Sequence, residues 1–239
     1  MYKRVLLKLS GESLKGDSPL ILDSGFVDGV ARMLASLNKK EIQLAIVIGG
    51  GNVWRGRIAE EIGIERVPAD FMGMLGTVMN AVAMASALKK YDVKSTVYSA
   101  LPALEGITVS YNQEQANKDL EDNKIVFLSG GTGKPFFTTD TAATMRAIEL
   151  NCEAILMGKN GVLGVYDDDP RKNKNAKFIK DITYDEILEK KLSVMDETAV
   201  KLIQDKNIDI RVFSMSDLEN FNRVISGEDI GTTCHRKGK

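Results

Sequence analysis

The sequence predicts a single α/β domain in which parallel strands are covered by helices on both faces. Short, nearly continuous apolar runs recur along the chain, amphipathic stretches separate them, and several of the runs end in glycine. A strand buried on both faces reads as an unbroken apolar run, and its parallel neighbour needs a crossover helix in between. With 239 residues, 44% of them hydrophobic and 27% charged, the chain can bury roughly 70% of its unfolded surface. No repeat, low-complexity tract or Pro/Ser-rich linker divides it, so one domain over residues 1–239 is expected.

The predicted strands are Val5 to Ser10, Leu44 to Ile48, Ser95 to Tyr98, Ile125 to Ser129, Ala154 to Met157 and Ile210 to Phe213. Between the first two, Phe26, Val27, Val30, Met33, Leu34 and Leu37 recur at helical spacing behind Asp23 and Ser24, either of which can cap a helix. A second helical pattern runs from about Met72 to Lys90. It places Leu75, Val78, Met79, Val82 and Leu88 on one side, while Gly73, Gly76, Ala81 and Ala85 allow close approach. It reads as a core helix with methionines as flexible filler, in preference to an adaptable binding face. Thr183-Tyr184-Asp185-Glu186 has capping-box spacing, Asp217-Leu218-Glu219 opens a last helix, and His235 to Lys239 reads as a solvated tail.

Lys plus Arg number 32 and Asp plus Glu 33, a net charge of -1 that gives no long-range field for gathering polyanions. Neither nucleic acid nor a membrane surface is expected as a partner. Two cysteines and one histidine cannot assemble a His/Cys zinc site, so any metal is oxygen-bound, which points to magnesium. The apolar run at Val5 is too short for a signal peptide, and no later stretch is expected to span a bilayer. A soluble cytoplasmic protein is therefore expected, with free thiols that suit a reducing compartment.

Chemistry concentrates where apolar runs end in glycine: Ser10-Gly11, Gly49-Gly50-Gly51-Asn52 and Gly130-Gly131-Thr132-Gly133. In a parallel sheet these corners fall at the carboxyl ends of strands, where bare backbone N–H groups surround a polyphosphate. Familiar fingerprints are absent. Leu128 stands five positions before Gly133, where a Walker A loop needs glycine, and Pro135 follows Lys134 where it needs Ser or Thr, while Trp54 stands where a dinucleotide motif needs glycine. Beside the corners, Lys8 lies inside an apolar run, where an ammonium is costly without an anion, although a snorkelling lysine would read the same way. Arg55, or equally Arg57, can fork onto phosphate oxygens, unless either is simply a surface residue. Asp140 either caps a helix after Thr138-Thr139 or orients a cation and a metal-bound water. Asp167, Asp168 and Asp169 before Pro170 form a metal site or, more simply, a solvated turn.

Three features together resemble the amino acid kinase family along essentially the whole chain: Lys8-Leu9-Ser10-Gly11-Glu12, the Gly49 to Asn52 corner with Arg55, and Gly164-Val165-Tyr166 leading to Asp169-Pro170. Two longer stretches, Asp70 to Asn80 and Gly131 to Asp140, resemble the bacterial branch of that family whose acceptor is UMP. The resemblance implies a three-layer αβα sandwich around a mainly parallel sheet and ATP-dependent conversion of UMP to UDP with magnesium, in pyrimidine nucleotide synthesis. It further implies a homohexamer, inhibition by UTP and activation by GTP. By position, ATP would meet Lys8, Leu9, Ser10, Gly11, Gly51 and Arg55, with Asn160, Tyr166 and Asp169 near the adenosine. UMP would meet Gly50, Asp70 and the loop Thr132, Gly133, Lys134, Pro135, Phe136, Phe137, Thr138, Thr139. Acceptor binding would thus sit mainly in the N-terminal part and ATP binding mainly beyond about residue 150. The implied catalytic groups are Lys8, Arg55 and Asp140, with magnesium held through ATP phosphates and water and not by dedicated protein ligands.

The sequence departs from relatives at Leu163, where many have Asp, and at Lys134, where some have Asn. Lys15 to Leu22 corresponds to a variable region associated with GTP activation. Two alternatives are weighed: a kinase of the same superfamily acting on a carboxylate or carbamate, and a nucleotide-binding module without transfer. The stretches from Asp70 and from Pro135 argue against the first, and the intact Lys8, Arg55 and Asp140 against the second.

Overall fold

Every apolar run read from the sequence is a strand. The computed structural model describes residues 1–16 and 18–238. In chain order these form β1 (Arg4–Leu9), α1 (Gly11–Lys15), α2 (Ser24–Asn38), β2 (Gln43–Ile48), α3 (Gly56–Ile62), α4 (Arg66–Leu88), β3 (Ser95–Ser99) and β4 (Val109–Ser110). There follow α5 (Gln113–Glu121), β5 (Ile125–Ser129), α6 (Thr139–Glu149), β6 (Ala154–Lys159), β7 (Val165–Tyr166), β8 (Phe178–Ile179) and β9 (Asp181–Thr183). The remainder is α7 (Tyr184–Glu189), α8 (Glu197–Ile203), β10 (Asp209–Ser214), α9 (Glu219–Ile225) and β11 (Thr232–His235).

The strands form a nine-stranded sheet in the order β4-β3-β5-β2-β1-β6-β10-β11-β9, with β7 and β8 as a separate hairpin. From β4 to β10 every pair is parallel; β11 runs antiparallel to β10 at one margin. The chain steps from β1 to β2 on one side and later crosses to place β6 on the other side of β1. The strand order therefore reverses at β1, and a crevice opens outside the carboxyl ends at such a point.

Alternate residues of β1 feed two cores, which makes the structure three-layered. Val5, Leu7 and Leu9 join Leu34 of α2, Met84 of α4 and Phe221 of α9, while Leu6 joins Leu120 of α5, Ala143 of α6 and Val200 of α8. By the same alternation Lys8 projects to the α6 side. The short strands β4, β7, β8, β9 and β11 escaped prediction because they carry too few apolar residues to read as runs. β11, for example, is Thr-Thr-Cys-His.

Helix α2 is capped by Asp23, whose side chain accepts the Phe26 N–H at 2.7 Å, so Asp23 and not Ser24 is the cap. The capping box at Thr183 and Glu186 is present on α7, and α9 opens at Glu219. Helix α4 differs from expectation in two ways. It begins at Arg66, and Leu75 and Met79 are 55% and 51% exposed instead of buried. The reason is steric: Gly76 and Thr77 face the Gly50 corner, which rotates Leu75 and Met79 outward beside Val67 and Phe71. The segment Arg66–Tyr91 is also long and apolar enough, with mean hydropathy 1.5, to meet the length and composition of a bilayer span. That corrects the reading that no stretch approaches one, although α4 is a helix of this fold, packed on α2, β2, β3 and β5.

The C-terminus is another correction. His235 belongs to β11 and holds Asp181 of β9 at 2.8 Å, because β11 extends the sheet instead of trailing into solvent; Lys239 lies outside the described residues. Asp17, within the variable stretch Lys15 to Leu22, also lies outside them.

Candidate active site

Because β5, β2 and β1 are parallel neighbours, their three glycine corners lie side by side on one edge of the sheet. The corners are packed too closely for side chains. A Cβ on Gly11 would come within 2.3 Å of the Gly49 carbonyl oxygen, and one on Gly50 within 2.5 Å of the Gly73 carbonyl oxygen in α4. Asn80 of α4 braces the same corner, donating to the Gly49 carbonyl at 2.7 Å and exchanging hydrogen bonds with Asn52.

Lys8 is not a snorkelling lysine. Its ammonium lies 2.8 Å from Asp140 Oδ1, and the two side chains are 19% and 21% exposed. Asp140 is not the helix cap either. Thr138 caps α6 by accepting the N–H groups of Asp140 and Thr141, which frees the Asp140 carboxylate for Lys8. Arg55 pairs with Glu12 at the start of α1, whereas Arg57 makes only an exposed pair with Glu61 and lies outside the site.

Two cavities lie by the strand ends, one at the end of β6 and one at the β2 and β5 corners, and neither has Lys8 or Asp140 in its lining. The larger, about 580 Å³, is lined by Lys159, Asn160, Tyr166, residues 167–172 and residues 190–194. It gathers the three residues expected near adenosine: Asn160, Tyr166 and Asp169. The smaller, about 280 Å³, is lined by Gly50, Asp70, Lys134, Phe137, Thr138 and Thr139, all expected on the acceptor side, together with Trp54 and Arg66. Gly51, expected at ATP, also lines the smaller cavity. Thr132, Gly133, Pro135 and Phe136 are on the same loop without lining that cavity. Thr132 Oγ1 accepts from Lys134 N, and the exposed Phe136 donates its backbone N–H to Asp70 at 2.7 Å. Asp70 is held from behind by Arg66 Nε at 2.8 and 2.9 Å. Leu163, 63% exposed, lines a third recess of about 310 Å³ on the far side of Tyr166.

The acidic run beyond Tyr166 is a turn. Asp168 holds Asn173, and Asp169 holds Arg171 through Nε at 2.9 Å. Among the described residues no group of three or more His, Cys, Asp or Glu side chains could hold a metal.

The structure adds two groups to the candidate site that the sequence does not single out. Lys159, at the end of β6, lines the larger cavity, and its amine pKa is lowered by burial and by the Lys8 charge, partly offset by Asp140. A signal is present in the sequence, since Lys159 closely follows the apolar run Ala154 to Met157. Asp196 caps α8 by accepting from Ala199 N at 3.0 Å, and it also accepts the hydroxyls of Thr138 and Thr141, tying α8 to the acceptor loop. Its capping role is readable from sequence; the long-range tie is not.

Comparison with known proteins agrees with this geometry. Residues 3–214 match the sequence model of the amino acid kinase family. UMP kinase from Bacillus anthracis superposes with a TM-score of 0.95 at 36% identity, over 99% of this chain and 97% of the other. UMP kinase from Ureaplasma parvum gives 0.92 at 35% identity, over 99% and 100%. Uridylate kinase from Archaeoglobus fulgidus, at 24% identity and a TM-score of 0.75 over 98% and 100%, shares the fold. A family match spanning most of the sequence, with a phosphate-suited glycine edge and a paired lysine at its centre, leaves one conclusion: the chain belongs to the amino acid kinase family.

Proposed function

We propose that the chain is a nucleoside monophosphate kinase that transfers the γ-phosphoryl group of ATP to UMP, giving UDP. The observation that carries this reading is the pair of cavities at the strand ends, one lined by Lys159, whose amine feels the Lys8 charge, and the other by Thr138 and Thr139, which precede Asp140. The larger draws on residues 159–212 and the smaller on residues 50–139, so donor and acceptor would be held by different parts of the chain. Full-length likeness to two UMP kinases favours UMP over a small acid as acceptor.

In this reading Lys8 and Lys159 neutralise charge on the transferring phosphoryl group, which in such reactions is most of the catalytic work. Asp140 holds Lys8 in place. Asp70, fixed by Arg66 and Phe136, accepts hydrogen bonds from the ribose hydroxyls, and Thr138, Thr139 and the backbone of their loop read the acceptor. The UMP phosphate is ionised near neutral pH and attacks without a general base, and the one histidine lies at the sheet margin.

Magnesium suits a site with one partly buried carboxylate and no clustered protein ligands, since this ion keeps several waters and binds through substrate phosphates. Asp140 would reach its water shell, and the ion would supply neutralisation of the donor phosphates. The same reading carries a cytoplasmic homohexamer inhibited by UTP and activated by GTP.

An ADP-release assay with magnesium across a panel of UMP, CMP, acetylglutamate and carbamate, repeated with UTP and GTP, tests reaction, acceptor and regulation. UMP is expected to be the preferred acceptor. No UMP-dependent ADP release would sink the proposal. Trp54, the chain's single tryptophan, lines the smaller cavity and provides an independent fluorescence signal for UMP binding.

A further inference from the structure

Glu12 occupies a place that the chemistry of the site reserves for an anion. It is the second residue of α1, and its carboxylate lies over the bare α-carbon of Gly51: a Cβ built there would be 3.0 Å from Glu12 Oε1. Its other oxygen accepts from the Arg55 guanidinium, whose Nε also faces the Gly51 carbonyl oxygen at 3.4 Å. The guanidinium and the glycine corner are the two features that recommend this spot for a phosphate, and a carboxylate offers the same planar pair of oxygens to an arginine fork.

We propose that Glu12 is a built-in surrogate for a donor phosphate, holding Arg55 until the polyphosphate of the donor nucleotide displaces it. This rests on the reading of ATP as donor. The pair is well suited to exchange because both partners are substantially exposed, with Arg55 at 56% and Glu12 at 40%. Ion pairs of this kind contribute little, so a polyphosphate bearing several charges outcompetes a single carboxylate, whereas inorganic phosphate gains little over it. The device therefore selects for polyanionic ligands and keeps the guanidinium preset near its working position. Once displaced, Glu12 has no task in phosphoryl transfer, so its removal acts on donor binding and not on the chemical step.

The test is steady-state kinetics with ATP varied at saturating UMP, for wild type and Glu12→Gln, each alone and combined with Arg55→Ala. Glu12→Gln is expected to lower KM for ATP about 2- to 5-fold, the range that an exposed ion pair allows, with kcat within about twofold of wild type. That gain is expected to vanish in the Arg55→Ala background. An unchanged or raised KM, a collapse of kcat, or a gain that persists without Arg55 would each overturn the proposal. Glu12→Asp, whose shorter side chain retracts from Arg55 while keeping the charge, serves as the second variant, and melting curves show whether each variant is folded. Calorimetric titration with pyrophosphate reads the same competition without turnover. If wild type releases no ADP with UMP, the kinase reading fails, while tighter pyrophosphate binding by Glu12→Gln still decides this proposal.

Discussion

The Lys8 ammonium lies 2.8 Å from Asp140 Oδ1, joining the middle strand of the sheet to the first turn of α6. An ammonium has three donors, so one carboxylate leaves others for phosphate oxygens. In the proposed function the pair holds this charge in place before any substrate arrives, which is what preorganised electrostatic stabilisation requires.

Lys8→Ala should lower kcat by about 100- to 1,000-fold, the usual effect of losing one preorganised charge. Asp140→Asn keeps the shape and loses only the charge that positions Lys8, so about tenfold is expected. Stopped-flow single-turnover rates separate this from product release. A Lys8→Ala enzyme of near-normal rate would remove Lys8 from the mechanism.

Gly11→Ala should destabilise the fold as well as the site. The added methyl meets a backbone carbonyl at 2.3 Å, and neither β1 nor the β2 corner can retreat without breaking the Gly49 N–H to Leu9 carbonyl bond. Forced overpacking of this sort costs about 1–3 kcal/mol. Urea denaturation measures it, and a variant of unchanged midpoint would show that the corner is looser than its geometry implies.

The sequence revealed the residues that had to be anomalous in their local setting. A lysine inside an apolar run and glycine corners at three strand ends stand out from their local setting, and local rules are broken at functional sites. Long-range ties left no such trace. Asp196 reads as an ordinary helix cap, and nothing local shows that it reaches Thr138 and Thr141. The orientation of α4 was misread because apolar spacing alone ranks Leu75 above Gly76, whereas the close approach of Gly76 to the Gly50 corner decides which face is buried. The edge strand β9 depends on pairing with β11, distant in sequence, and pairing leaves no periodic pattern.

Lys159 should set an alkaline limit on activity. Burial and the nearby Lys8 charge lower its amine pKa below the usual lysine value, so it loses its proton before an ordinary lysine does. Over that interval the unfolded chain binds more protons than the folded one, so stability rises with pH while activity falls. Lys159→Arg keeps the charge throughout, and the alkaline limb of kcat/KM for ATP should move to higher pH. Identical limbs in both enzymes would assign the limit to another group.

His235 should make the β9–β11 margin more stable at mildly acidic pH. Its Nε2 lies 2.8 Å from Asp181 Oδ1 and its Nδ1 2.7 Å from the Arg236 carbonyl oxygen, so both ring nitrogens face acceptors and the doubly protonated ring satisfies both. Burial opposes the charge, but the Asp181 carboxylate and the Arg236 carbonyl outweigh it and raise the pKa above the usual histidine value. A raised folded-state pKa means that the stabilisation is complete below about pH 6.5, the unfolded value, and is lost as pH rises through the folded one. Asp181 is 67% exposed, so the effect is small. Melting curves should place His235→Gln about 1–3 °C below wild type at pH 5.5 and level with it at pH 8.5. A gap that is constant with pH would mean that the ring contributes by packing alone.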